Sequence, residues 1–210
     1  YTVDGADLGK ISFENLNSAE ARITVTGTSI HPGRGKNKLK NAILMAIELQ
    51  NMLPPAETPS HTEGYEGFFH LLGMKGEVER SELHYIIRDH DMEKFEEKKA
   101  VMTAAADFIN RKYGAGTLEL TLKDSYYNMK KCIEPCMYVV ERAKKAMAAA
   151  GMNPVEVPIR GGTDGARLSY EGLPCPNLCT GGENYHGRFE FIPTEDMEKC
   201  VRMLVEILTA

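Results

Sequence analysis

The sequence predicts an α/β chain in which an α+β domain of ferredoxin-like, β-α-β-β-α-β topology interrupts part of a larger α/β sheet domain. Three observations predict it. Between residues 21 and 124, runs of period two and runs of helical period follow in the order strand, helix, strand, strand, helix, strand. After residue 125, strand-like and helix-like runs alternate instead, as in an α/β sheet. The opening "YTVDG" reads as one more strand of that second sheet. The expected division is residues 1–12, 13–124 and 125–210, with the first and last segments sharing one sheet. The interrupting domain would leave a sheet face and edges open, which suits pairing with a second copy.

Each element rests on a local pattern. In "ARITVT", Ala21, Ile23 and Val25 alternate with Arg22, Thr24 and Thr26, which predicts a half-buried strand over 21–26. "HPG" at 31–33 ends it. Leu39, Ala42, Ile43, Ala46, Ile47 and Leu53 recur at helical spacing and predict a helix over 37–53, stopped by Pro54 and Pro55. "YEGFFHLLGMKGEV" and "SELHYIIRD" read as neighbouring strands. Asp91 is a helix cap, residues 92–113 a long helix, and Gly114 its stop. "TLELTLKD" is the next strand. Pro135 stands near a helix start, and Val139, Ala143, Met147 and Ala150 mark that helix's inner stripe. "VEVPI" and "LPCPNLCTGG" are short strands around a short helix after "RGGTDG". In the last helix, Met197, Val201, Leu204, Val205 and Leu208 mark one face.

Composition excludes several classes. Of the 210 residues, 42% are hydrophobic and 26% charged, an ordinary globular mix. The net charge of −5, with no basic block, argues against a nucleic-acid partner. No apolar run approaches a membrane span. The chain begins at Tyr1, already inside a strand pattern, as expected of a piece of a longer protein. An odd count of five cysteines without an export signal points to reduced thiols and a cytoplasmic location. The C-x-x-x-C pairs Cys132/Cys136 and Cys175/Cys179 raise a structural-zinc reading. Structural sites usually use tighter C-x-x-C spacing, so buried small hydrophobes are the better account.

The candidate chemistry lies at strand ends. Asp4 closes "YTVDG", and acids at the carboxyl ends of α/β strands point into the ligand crevice. His186 in "GGENYHGRFE" follows another strand and a glycine pair. Alone, each reads as a turn or loop residue. Together, one carboxylate and one imidazole at the same sheet edge make half of a zinc or di-zinc hydrolase site. "RGGTDG" joins a strand to a helix without the lysine of a phosphate loop. Arg160 and Thr163 are suited to a substrate carboxylate or peptide carbonyl, against the alternative of a tight turn capped by Asp164. His31 and Arg88 stand at strand ends of the interrupting domain, where simple exposure is the competing account. "DSYYNMK", with Asn128, lies where the domains join, a common place for clefts.

Taken together, "YTVDG", "HPGRGKNKLKNA", "TEGYEGF", "HYIIRDHD", "DSYYNM", "PIRGGTDGA", "LPCPNL" and "GGENYHGRFEF" resemble the peptidase T family of aminotripeptidases, within the co-catalytic zinc peptidases. The likeness covers essentially the whole chain. It implies a catalytic α/β domain interrupted by a ferredoxin-like lid that dimerises. It also implies two zinc ions per complete site, tripeptide substrates and a cytoplasmic homodimer. Residue by residue, Asp4 matches a terminal ligand of one zinc and His186 a ligand of the second. His31 matches the lid histidine that reaches a partner's site and stabilises the oxyanion. Arg160 and Asn128 match peptide-holding positions, with Arg88 and Thr163 as further candidates.

The family's N-terminal half carries an H-x-D pair, a bridging aspartate and a Glu-Glu pair, and none is found here. The sequence therefore reads as the C-terminal half of such an enzyme, expected to be inactive alone. Two alternatives are a di-zinc deacylase or carboxypeptidase of the same superfamily, and a non-catalytic dimerisation or ligand-sensing module. The last expects Asp4 and His186 far apart.

Overall fold

A computed structural model of the chain describes residues 1–209. In chain order the strands are β1 (Thr2–Val3), β2 (Lys10–Ser12), β3 (Asn17–Thr26), β4 (Phe68–Gly76), β5 (Arg80–Asp89), β6 (Leu118–Tyr126), β7 (Val155–Glu156) and β8 (Asn177–Leu178). The α-helices are α1 (Ala42–Met52), α2 (Met92–Tyr113), α3 (Lys130–Ile133), α4 (Tyr138–Ala149), α5 (Asp164–Tyr170) and α6 (Thr194–Thr209). The chain divides into two units, residues 17–125 and residues 1–16 with 126–210. The first boundary falls after Leu16 rather than after residue 12. Glu14 and Asn15 explain this: the Glu14 C=O accepts from Ile159 N–H, and Asn15 Oδ1 accepts from Met129 N–H.

Within residues 17–125 the sheet order is β4-β5-β3-β6. Strands β3 and β5 pair antiparallel over ten residues, with Ala19, Ala21 and Ile23 opposite Ile87, Tyr85 and Leu83. All six of these side chains are buried. Strand β3 starts four residues earlier than its alternation suggested. Asn17 and Ser18 are polar yet buried, and the Asn17 amide is satisfied by the carbonyls of Asp89 and His90.

Helix α1 starts at Ala42 rather than residue 37, because the Asn41 side chain accepts from the Ile43 and Leu44 N–H groups and fixes the N-terminus there. Its inner face is Ala42, Met45, Ala46 and Leu49, while Ile47 is 43% exposed. Helix α2 runs as its periodicity predicts. Asp91 caps it by accepting from Lys94 N–H, and Gly114 ends it at φ +113°. Phe95, Met102, Ala105 and Ile109 are buried along one stripe.

The other unit has a sheet of order β1-β8-β2-β7. Strand β2, absent from the sequence reading, lies between β8 and β7, antiparallel to the first and parallel to the second. Ile11, Met129, Ile133, Val140, Ala143, Met147, Leu178, Met203 and Ile207 form the core. Helix α6 departs from expectation. Its buried residues are Cys200, Met203 and Ile207, whereas Val201, Val205 and Leu208 are 59%, 52% and 83% exposed. The helix is apolar on two sides, and periodicity alone selected the outer one. No helix among the described residues is long and apolar enough to cross a membrane.

Candidate metal-binding cleft

Asp4 directly follows β1 and continues its pairing with β8 through its N–H, which donates to the Leu178 C=O at 3.1 Å. Its own C=O accepts from Asn177 Nδ2 at 2.6 Å. Gly5 and Ala6 then both turn into the left-handed region, at φ +65° each. At the other end of the chain, His186 sits in a loop closed by an antiparallel bridge between Glu183 and Phe191. It is also left-handed, at φ +61°, and its N–H donates to Glu190 Oε2 at 2.9 Å. Asp4 and His186 line one cleft of about 940 Å³, together with Ser12, Gly161, Gly162, Asn177 and Tyr185.

Both side chains are exposed. Neither the Asp4 carboxylate nor the His186 imidazole has a hydrogen-bond or ion-pair partner among the described residues. A hard oxygen donor and an imidazole nitrogen lining one cleft are donor types that suit a divalent metal. They do not complete a site, because among the described residues no group of three or more histidine, cysteine or acidic side chains could hold a metal ion. The cysteines take no part. Cys175, Cys179 and Cys200 are buried and all five are free. Burial, with Cys179 alongside, pushes the Cys200 thiol up to about 12, so it packs as a small apolar side chain.

The peptide-holding candidates are placed differently. Arg160 and Thr163 flank the cleft-lining Gly161 and Gly162 but are not themselves lining residues. The Thr163 hydroxyl caps α5 by accepting from Gly165 N–H, and donates to Asn177 Oδ1 at 3.2 Å. Thr163, not Asp164, is thus the cap. Asn128 Oδ1 accepts from the N–H groups of Asn15 and Lys130, which fastens the start of α3 to the end of the first segment.

In the unit of residues 17–125, His31 is exposed and its Nδ1 accepts from Gly33 N–H at 3.2 Å. Arg88 Nε lies 3.4 Å from Ser18 Oγ. Two cleft residues escaped the sequence reading. Asn177, only 2% exposed, joins Asp4, Thr2 and Thr163, and Tyr185 reaches the Asp4 turn through its hydroxyl. Nothing periodic marks either; the one available signal was the adjacency of Tyr185 to His186.

Residues 13–117 match the family described as the peptidase dimerisation domain. The chain belongs to that family. The family's matched span holds β3, α1, β4, β5 and α2. Over 208 residues the chain is 56% identical to Peptidase T of Halothermothrix orenii, covering 99% of this chain and 51% of that protein. It thus spans about half the length of the curated relatives it matches. Among solved structures, a tripeptidase from Staphylococcus aureus superposes with a TM-score of 0.84 at 21% identity, covering 97% of this chain and 54% of that one. The aminopeptidase PepT from Bacillus cereus gives 0.83 at 23% identity, covering 98% and 55%. These two likenesses speak to the fold.

Proposed function

We propose that the chain is the lid and C-terminal catalytic portion of a zinc-dependent aminopeptidase that releases the N-terminal residue of tripeptides. One observation carries the reading: Asp4 and His186, from opposite ends of the chain, line the same cleft, and their side chains have no partner among the described residues. The non-catalytic alternative expects them apart. The similarity to Peptidase T supports the substrate class. The strand order β4-β5-β3-β6, with α1 and α2 packed on β3 and β5, supports the ferredoxin-like reading of residues 17–125. The same reading makes that unit the homodimer contact and places the protein in the cytoplasm.

Asp4 and His186 would hold the metal. When bound, co-catalytic zinc ions polarise a scissile carbonyl and activate water. The remaining steps belong to side chains of this chain. Gly33 N–H donates to His31 Nδ1, which leaves the neutral ring's proton on Nε2. That tautomer is a donor, suited to an oxygen gaining charge in a partner's site. Arg160, Asn128, Thr163 and Arg88 remain the candidates for holding the peptide. Arg160 and Thr163 flank the cleft-lining Gly161 and Gly162, so they are the first to test.

Tripeptide hydrolysis by the full-length protein and by this chain tests the reading. The full-length enzyme is expected to be active and this chain inactive. Asp4→Asn and His186→Ala are expected to lower bound zinc, and His31→Ala to lower turnover about 10²–10³-fold with zinc retained. Robust cleavage by this chain alone, or unchanged zinc in both ligand variants, overturns it.

A further inference from the structure

We propose that the loop of residues 31–40 selects substrates by charge, favouring short peptides that carry acidic side chains, with Arg34, Lys36 and Lys38 as the selecting groups. The inference rests on the proposed function, in which His31 of the same loop donates to the peptide's reacting oxygen.

The stretch stands apart by its charge. The chain as a whole has 30 acidic residues against 25 lysines and arginines, yet no acid occurs between Glu20 and Glu48. Within that span Arg34, Lys36, Lys38 and Lys40 fall at every second position, separated by Gly35, Asn37 and Leu39 rather than run together as a block. His31 and all four cations are exposed.

The four cations are not equivalent. Lys40 Nζ donates to the Tyr113 C=O at the C-terminal end of α2, where helix carbonyls lack partners and a positive charge is favourable. The side chains of Arg34, Lys36 and Lys38 have no hydrogen-bond or ion-pair partner among the described residues. Lysines of the neighbouring helix are matched instead: Lys98 by Glu57 and Asp89, Lys99 by Glu96 and Asp124, Lys112 by Glu48. Like charges on one short segment repel, so the loop is completed electrostatically by an anion that it does not itself supply.

The backbone that carries these side chains is fixed. Thr28 N–H donates to Lys40 C=O at 2.8 Å and Lys40 N–H to Thr28 C=O at 3.0 Å, which closes the loop at its base. Inside it, Arg34 N–H donates to His31 C=O at 2.8 Å, and Lys38 and Leu39 N–H donate to Gly35 C=O at 3.0 and 2.9 Å. Asn37, left-handed at φ +59°, turns the chain between Lys36 and Lys38. A pre-shaped loop loses little freedom when it meets a ligand. Because His31 belongs to the same loop, the ligand is the peptide whose oxygen His31 serves. A carboxylate flanking that oxygen is attracted by all three cations, and a neutral side chain is not.

The test compares trialanine with alanyl-glutamyl-glutamate as substrates of the full-length protein. In the triple variant Arg34→Gln, Lys36→Gln, Lys38→Gln, kcat/KM for the acidic peptide is expected to fall about tenfold, mainly through KM, while that for trialanine holds within about twofold. Salt at about 1 M, where the screening length is about 3 Å, should erase the difference between wild type and variant. His31→Ala should lower kcat on both peptides alike. Lys38→Gln alone should shift the acidic-to-neutral ratio in the same direction by less, and it decides the matter if the triple variant does not fold. An unchanged ratio in both charge variants, or an equal loss on both peptides, overturns the selecting role and leaves the peptidase reading intact. No cleavage of either peptide by the full-length wild type overturns the peptidase reading, and the selecting role with it.

Discussion

The two units hold themselves together by different means. In residues 17–125, β3, β4 and β5, each of nine or ten residues, pair in long registers, and two capped helices pack on β3 and β5. In the other unit the strands are two or three residues long, and each pairing fixes only two positions. Ladders that short contribute little. Packing of α4 and α6 over Ile11 and Leu178, and side chains such as Asn15 and Asn177 bonded to backbone, do the rest. The lesson is a division of labour. A long-register sheet makes a stable module, and a sheet fixed mainly by its surroundings carries left-handed turns that present Asp4 and His186.

The largest expected effect probes the long-register unit. Phe95 is fully buried, so Phe95→Ala should cost about 3–5 kcal/mol. Urea melts with amide exchange read per unit would check it. If exchange in residues 126–209 rises equally, the two units are one cooperative structure and the contrast fails.

A smaller effect depends on pH. Tyr85 donates to Gln50 Oε1 at 2.6 Å, and burial pushes its phenol up from the ordinary tyrosine value to about 12. A raised folded value means this contribution is fully present below about pH 10 and is lost as pH climbs towards 12. The difference in urea midpoint between wild type and Tyr85→Phe across that window should show the loss in the wild type alone. A flat difference would contradict it.

The smallest effect sharpens the contrast from the other side. Val205→Ser and Leu208→Ser lie on the outer face of α6 and should change stability by no more than about 0.5 kcal/mol, whereas Ile207→Ser on the inner face should cost several times more. Equal costs would mean that the outer face is covered in solution.

Legibility in the sequence followed the same divide. Strand β5 and helix α2 announce themselves, because ten or more residues of one period leave little choice of face, and Asp91 and Gly114 mark the helix ends chemically. Helix α1 was placed too early, because Leu39 fits the helical spacing while the Asn41 cap excludes it. Strand β2 was invisible, since three residues carry no period and its partners lie far away in sequence. Asp4 and His186 were found as residue types in strand-end loops. Thr163 shows what that method leaves out: a hydroxyl beside two glycines reads as a ligand group, and its bonds to Gly165 and Asn177 appear only in the structure.

By itself the sequence determined the order of the longer elements, the inner faces of β5 and α2 and the pair of donors worth watching. These follow from local periodicity and side-chain chemistry. Only the tertiary structure decided which side of α6 is buried, where β2 inserts, and that Asn177 and Tyr185 fasten the Asp4 turn. Each of those depends on a partner distant along the chain, and a hydrogen bond between distant residues leaves no period for a sequence to show.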